Sequence, residues 1–423
     1  MENNGTSLKI SEARTTLLSS GACLSGVLFS VALGCVGRFG ELFGFGAAIG
    51  VLAGSGVVSV MLIPLVYYLL NRFKPSLWGR YHLPLAVITL ASALTLALAF
   101  GVDVSRGTAA KVVTVCICLP LAETGLAAIT YICYSVNVRL FGEERCGFKR
   151  RTAMCGVGFL LGVGISSLPL FGLDFTSVGY GLGCLVLAVG GVFYFSSVSV
   201  LPRFRRKLPT IATFQTIREG FLKKPTVKGL MLFFSVLAAV SAVSLILGFF
   251  GAFCESFELA GYVPLLSAAA MSVAGTLFYA LAYKKNLRFK CAVACGSSAC
   301  IVVAALIPTI ILAPLPSYLL SIIVGAVFTV AAALVGMVLG VASSSEKTLT
   351  ARPAGGIRFC LRIALIILGL SLGLSLACVV SLVGGFVGTV LFLSFAAALA
   401  LASGVFAVIA GTKEERVQKE DKA

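Results

Sequence analysis

The sequence predicts an all-α membrane protein with twelve transmembrane helices, and its composition, its apolar runs and the placement of its cations support that fold class. Hydrophobic residues make up 59% of the 423-residue chain, charged residues 12%, and the mean hydropathy is +1.06. A soluble protein of this length needs a polar surface that so few charged residues cannot supply. Long apolar runs alternate with short basic loops, unlike the short alternating strands of a β-barrel.

Twelve apolar runs are long enough to cross about 30 Å of hydrocarbon, which takes roughly 20 helical residues. Lipid offers the backbone no hydrogen-bond partner, so each run is predicted to be a helix. The least marked boundary is the last one, where Gly384 and Gly385 are the only break, and an eleven-span count would move the C-terminus to the other side. The runs are 17–37, 43–70, 83–102, 109–138, 152–172, 178–201, 229–251, 261–283, 291–312, 316–342, 358–384 and 386–410.

The basic residues predict the topology of these spans. With both termini cytoplasmic, only Arg38, Arg106 and Lys111 of the 33 lysines and arginines fall on the outside. Cytoplasmic loops of membrane proteins carry such an excess of cations. The net charge of +17 therefore indicates topology and contact with the lipid bilayer of an inner or plasma membrane. It does not indicate a nucleic-acid partner.

The longest cytoplasmic segment divides the chain into two halves. Residues 1–201 form a predicted N-terminal six-helix bundle, 202–228 a linker with a surface helix at 213–222, and 229–412 a C-terminal six-helix bundle. A charged cytoplasmic tail, 413–423, follows. This layout resembles that of the major facilitator transporters, whose two bundles rock around a central site.

Four motifs sharpen the resemblance. NRFKPSLWGRY at 71–81, LFGEERCGFKRR at 140–151, IREGFLKKPTVKGLMLF at 217–233 and TARPAGGIRFCLRIAL at 350–365 occur in this order. They resemble segments of the glycoside–pentoside–hexuronide:cation symporters, the family of melibiose permease, whose first loop reads D-R-T-R-S-R-W-G-R-[YF]-R-P-W. The resemblance implies a transporter with gating residues in its cytoplasmic loops. The residues matched are Asn71, Arg72, Trp78, Arg80, Glu144 and Arg145.

The chain departs from that family where the coupling cation binds. Ser59 and Ile63 stand at the positions of two span-two aspartates, Ala128 at that of a span-four aspartate, and Asn71 at that of a loop aspartate. Serine and isoleucine cannot supply the negative charge of a sodium site. We therefore expect no sodium coupling of the melibiose type.

Glu123 is the clearest candidate for a functional group. It lies near the middle of an apolar run, and a charge at mid-helix costs about 2.5–3.5 kcal/mol on insertion scales. Proton coupling or substrate binding would explain it, with Tyr131 and Tyr134 lining the same path. The alternative is a neutral glutamate hydrogen-bonded between helices or near the outer surface. Pro120 and Gly125 are expected to loosen the helix around it.

Other charged and small residues have simpler interpretations. Arg38 and Glu41 are expected to pair at the outer surface, and His82 to lie at the interface. Arg150, between two other cations at the start of span five, aligns with a functional arginine of the resembled family or serves only topology and lipid contact. Four glycine pairs at small-xxx-small spacing predict close helix packing: Gly158 and Gly162, Gly179 and Gly183, Gly336 and Gly340, Gly369 and Gly373.

The sequence favours a secondary or facilitative transporter of a small polar solute such as a sugar or glycoside. The fourteen cysteines contain no CxxC pair, so we expect packing roles rather than a metal site, and no cofactor. No nucleophile triad or phosphate-binding loop indicates an enzyme. Two alternatives stay open: a carrier of lysophospholipids or other amphipathic solutes, and a non-transporting receptor or scaffold.

Overall fold

A computed structural model of the chain describes residues 12–72, 81–141, 145–198, 227–253 and 353–420, and all regular structure within these ranges is helical. Two short 3₁₀ turns, Ser20–Ala22 and Leu168–Phe171, accompany ten α-helices of the described residues. The helices are α1 (Glu12–Ser19), α2 (Cys23–Phe43), α3 (Phe45–Arg72), α4 (His82–Phe100), α5 (Thr108–Phe141), α6 (Arg145–Ser166), α7 (Phe175–Val198), α8 (Val227–Phe253), α9 (Pro353–Val383) and α10 (Gly385–Glu420).

Seven helices of the described residues are long and apolar enough to span a membrane, which confirms the predicted class. Two shorter apolar stretches, Ala153–Ser166 and Phe234–Phe249, lie within α6 and α8. Nine of the twelve predicted spans thus coincide with a described helix. The other three, the predicted surface helix and Gly336–Gly340 lie outside the described residues, so the count of twelve stays a prediction. The cytoplasmic placement of both termini also stays a prediction.

The predicted break between the last two spans is confirmed. Helix α9 ends at Val383 and α10 begins at Gly385, with φ of +63° at Gly384 and +57° at Gly385. Glycine adopts this left-handed region without the clash that a Cβ atom would cause. Both flanking helices are among the seven apolar enough to span, so this stretch contains two candidate spans.

The glycine pairs bring helices together as predicted. A Cβ atom at Gly158 would collide with the backbone of Cys23, and one at Gly162 with the Ser30 side chain, so α6 packs directly on α2. Likewise a Cβ atom at Gly179 would lie 2.8 Å from Cβ of Phe100, where α7 meets α4. Small residues permit such close approach where lipid removes the hydrophobic drive for association.

The first and last parts of the chain meet through two helix pairs. Helix α3 packs along α9, and α2 packs along α8. At Gly248 of α8, an added Cβ atom would lie 2.7 Å from Cγ2 of Val36 and 3.0 Å from Cβ of Ala377. Three helices, α2, α8 and α9, therefore converge on one glycine. At Gly56 of α3, an added Cβ atom would overlap Ser371 of α9.

Candidate functional site

Glu123 lies in the middle of α5 and is buried. The side chain of Glu123 is 8% exposed, and its neighbour Thr124 is 3% exposed. Pro120 lies within the same helix, one turn before it, and has no N–H group for the helical hydrogen bond. Gly125 has a packing role beyond the predicted loosening, because an added Cβ atom would overlap Oγ of Ser92 on α4.

A hydrogen bond joins Glu123 to Ser59 of α3. The Ser59 Oγ atom lies 2.5 Å from Oε2 of Glu123 and 2.9 Å from the carbonyl oxygen of Ser55. A serine hydroxyl carries one proton, so it donates to only one of these acceptors at a time. If it donates to Ser55, the hydrogen bond to Glu123 requires a proton on the carboxyl group. If it donates to Glu123, the carboxylate can be ionised.

Among the described residues, Ser59 is the side-chain partner of Glu123. Burial penalises a charged carboxylate unless partners compensate for the lost hydration. Cys35 of α2 and Cys378 of α9 are buried on helices that pack against α3 and α5. Within the part of the chain that the structure describes, Glu123 forms no salt bridge.

Tyr131 lies two turns beyond Glu123 and packs on α3. Its ring meets the Tyr67 ring edge-on, with centroids 5.2 Å apart. Around this contact, and beginning one turn beyond the Glu123–Ser59 hydrogen bond, lies a cavity of about 10 Å³ with Thr124 in its wall. Its other lining residues are Ile63, Val66, Tyr67, Leu70, Ala127, Ala128, Tyr131 and Ile363.

The structure brings the three aligned aspartate positions close together. Ile63 and Ala128 line the cavity, and Ser59 binds Glu123 at its edge. A carboxyl group is therefore present in this region, but α5 supplies it from a different position in the sequence. The sequence analysis does not predict Ser59 as the partner of Glu123. Its signal is that Ser59 stands where the resembled family has an aspartate, which suggests that a neighbouring helix supplies the carboxyl group instead.

Tyr134 contacts α6. The guanidinium carbon of Arg151, on α6, lies 4.8 Å from the centroid of the Tyr134 ring, which is a cation–π contact. That Tyr131 and Tyr134 line one path stays a prediction. Arg150, the predicted site residue, is half-buried next to Arg151 on α6.

The predicted gating residues fall largely beyond what the structure describes. Trp78, Arg80 and Glu144 lie outside the described residues. Asn71 and Arg72 form the end of α3, and Arg145 begins α6, but the side chains of these three are not described. Their gating role stays a prediction.

Arg38 pairs with Glu41 as predicted, but it is buried rather than at the surface. Its Nη1 atom lies 2.8 Å from Oε2 of Glu41, and its Nε atom donates to the carbonyl oxygen of Phe100 at 3.0 Å. It also donates to the carbonyl oxygen of Val102 and lies over the ring of Phe175. The guanidinium group therefore caps the C-terminal end of α4, where unpaired carbonyl groups favour a cation.

His82 begins α4 and contacts α7. Its Nδ1 atom lies 3.0 Å from the hydroxyl oxygen of Tyr194. This contact joins two helices of the same half of the chain. Among the described residues, no group of three or more His, Cys, Asp or Glu side chains is placed to hold a metal ion.

No protein-family profile matches the chain, and no curated protein sequence matches it. Two solved structures are similar over nearly the whole chain. A point mutant of the nucleoside transporter NupG is 16% identical, with a TM-score of 0.62, over 93% of this chain and 99% of that one. A bacterial homologue of the iron transporter ferroportin, in an outward-facing state with soaked iron, is 14% identical, with a TM-score of 0.61, over 95% of this chain and 99% of that one.

Both similar structures have folds of the major facilitator type. At these identities the similarity establishes the fold and nothing finer. The predicted resemblance to the glycoside–pentoside–hexuronide:cation symporters is not confirmed. The chain is similar in fold to these two membrane transporters over 93% and 95% of its length.

Proposed function

We propose that the protein is a secondary transporter that moves a small polar solute by alternating access, with Glu123 as the proton-coupling group. The observation that carries this proposal is the hydrogen bond between Ser59 and Glu123 in the middle of the spans. A buried carboxyl group with a hydroxyl partner can bind or release a proton when its access to water changes. Alternating access changes the exposure of a central site to water during each transport cycle.

The position of α3 supports the link between protonation and movement. This helix carries Ser59 on the side that meets α5, while Gly56, less than one turn away, contacts Ser371 of α9. A movement of the last helices relative to the first would therefore act on the helix that holds the hydrogen bond. The proton on Glu123 and the arrangement of α3 against α9 are expected to influence each other.

The substrate class is proposed from one of the similar structures. One of the similar structures is described as a nucleoside transporter, and a nucleoside is a small polar solute built on a sugar. Fold similarity alone does not transfer a substrate. We propose a sugar, glycoside or related polar solute, to be distinguished from lysophospholipids by direct screening.

A thermal-shift screen of the purified protein tests the substrate class. A ligand that binds only the folded state raises the apparent melting temperature by mass action. Sugars, glycosides, nucleosides and lysophospholipids are compared at two pH values, with and without sodium. Stabilisation by a sugar or nucleoside supports the proposal, whereas stabilisation by lysophospholipids alone replaces the polar solute with an amphipathic one. If the protein also carries no ligand across reconstituted vesicles, the receptor or scaffold alternative gains support.

Uptake into reconstituted vesicles then tests the coupling, with the stabilising ligand as substrate. The Glu123→Gln variant keeps the shape and hydrogen bonding of the side chain but cannot exchange a proton. We expect it to lose accumulation driven by a pH gradient while it retains exchange of substrate at equal pH. Glu41→Gln is the matched control, because Glu41 is about half-exposed and lies outside the site. Unchanged gradient-driven accumulation in Glu123→Gln contradicts the proposal.

A further inference from the structure

Thr124, the residue that follows Glu123, lines the cavity between α3, α5 and α9. We infer that a water molecule bound at Thr124 in this cavity passes protons between Glu123 and the membrane face at which α3 and α5 end. We call this face the loop face. The inference rests on the proposed function, because it gives the route by which the coupling proton reaches or leaves the carboxyl group.

The register of α3 and α5 places the cavity one turn beyond the Ser59–Glu123 contact and around the Tyr67–Tyr131 contact. Ser59 meets Glu123, and eight residues further along both helices Tyr67 meets Tyr131. Two contacts with equal spacing show that the helices run in parallel. Eight helical residues span about 12 Å, so the pair of rings lies that far from the carboxyl group toward the loop face. Any path from Glu123 to the loop face along this seam passes the two rings.

The cavity has the size of a single water site. Its volume is about 10 Å³, and a water molecule needs roughly 10–15 Å³ on this measure. Ile63 and Ala127, each one turn beyond the hydrogen bond, form its side walls, and Ile363 of α9 contributes from the last part of the chain. The space is therefore shared by the two halves of the described chain.

Thr124 provides the polar group that marks this site. It is 3% exposed, and its Oγ1 atom has no hydrogen-bond partner within the part of the chain that the structure describes. A buried hydroxyl without a partner is unfavourable, so a partner in the cavity would stabilise the fold. The other threonine on this part of the helix, Thr130, instead donates to the carbonyl oxygen of Leu126 at 2.9 Å.

The relay step conserves atoms and charge. The protonated carboxyl group of Glu123 gives its proton to the bound water, and that water gives one of its own protons to water entering from the loop face. The cavity extends past Tyr67 to Leu70, and this second water enters from that side. Glu123 is left as a carboxylate, which the Ser59 hydroxyl stabilises by donating to it. The reverse sequence protonates it again.

The test is the rate at which Glu123 takes up a proton after a pH jump. The infrared absorption of its protonated carboxyl group is identified by its loss in Glu123→Gln. In Thr124→Val, which removes the hydroxyl and keeps the side-chain shape, we expect uptake to slow by about tenfold, equivalent to about 1.4 kcal/mol in the barrier. The final amplitude should stay the same. Thr124→Ser restores the hydroxyl and should restore the rate, and Thr130→Val is the matched control.

The outcomes separate this inference from the proposed function. If Glu123 titrates but Thr124→Val keeps the wild-type rate, the relay is wrong and coupling through Glu123 stands. If the Glu123→Gln variant loses no infrared band of a protonated carboxyl group, both the relay and proton coupling through Glu123 are contradicted. In vesicles with the protein in one orientation, the wild type should respond faster when the jump is applied at the loop face. A faster response from the opposite face overturns the route.

Discussion

Replacing Arg38 with leucine should destabilise the protein far more than removing its acidic partner. The Arg38 side chain is 5% exposed and the Glu41 side chain 48%. Arg38→Leu removes the donor to the carbonyl oxygens of Phe100 and Val102. At about 1.5 kcal/mol for each charge-assisted hydrogen bond, the loss is about 3 kcal/mol. Glu41→Gln removes only a half-exposed ion pair, which is worth about 0–1 kcal/mol.

A thiol-reactive fluorogenic dye measures this difference. Several cysteines of the described residues are free and buried, so their reaction with the dye reports unfolding on heating. We expect Arg38→Leu to lower the melting temperature by at least three times as much as Glu41→Gln. Equal, small shifts in the two variants would refute the interpretation that Arg38 holds the end of α4. They would return Arg38 to the role of an ordinary surface charge.

Two further predictions concern glycines. Gly248→Leu should separate the three helices that meet at this residue, so that buried Cys35 becomes reactive toward a thiol reagent in the folded protein. Peptide mapping measures the labelling of Cys35. An unreactive Cys35 would argue against the three-helix contact. Gly384→Ala should lower the melting temperature by the equivalent of about 1–2 kcal/mol because its φ is +63°. Gly54→Ala, at an open helical position of α3, is the control for both and should be neutral or slightly stabilising.

The positions of the described helices, and of the glycines at which they meet, could be predicted from the sequence. Apolar runs and uncharged length are local properties, and nine predicted spans each overlap a described helix, with ends that differ by one to ten residues. The break at Gly384 was also a local signal, since two adjacent glycines end a helix wherever a left-handed φ is needed. The glycine pairs predicted close packing, but not which helix each pair would meet.

The partners of buried polar groups could not be predicted. Ser59 and Glu123 are 64 positions apart in the sequence. The pattern of apolar residues in α3 or in α5 does not determine how the two helices align with each other. Arg38 was expected at the surface because its sequence shows only Glu41 nearby. Its burial depends on the carbonyl groups at the end of α4, which are 62 and 64 positions away.

The most direct test of the central claim is a count of the protons exchanged when the substrate binds. The purified protein is mixed with its stabilising ligand in weakly buffered solution that contains a pH indicator, and proton uptake or release is measured at several pH values. The account predicts a net exchange in the wild type that disappears in Glu123→Gln while ligand binding persists. The same exchange in both proteins, or none in the wild type at any pH, would contradict proton coupling through Glu123.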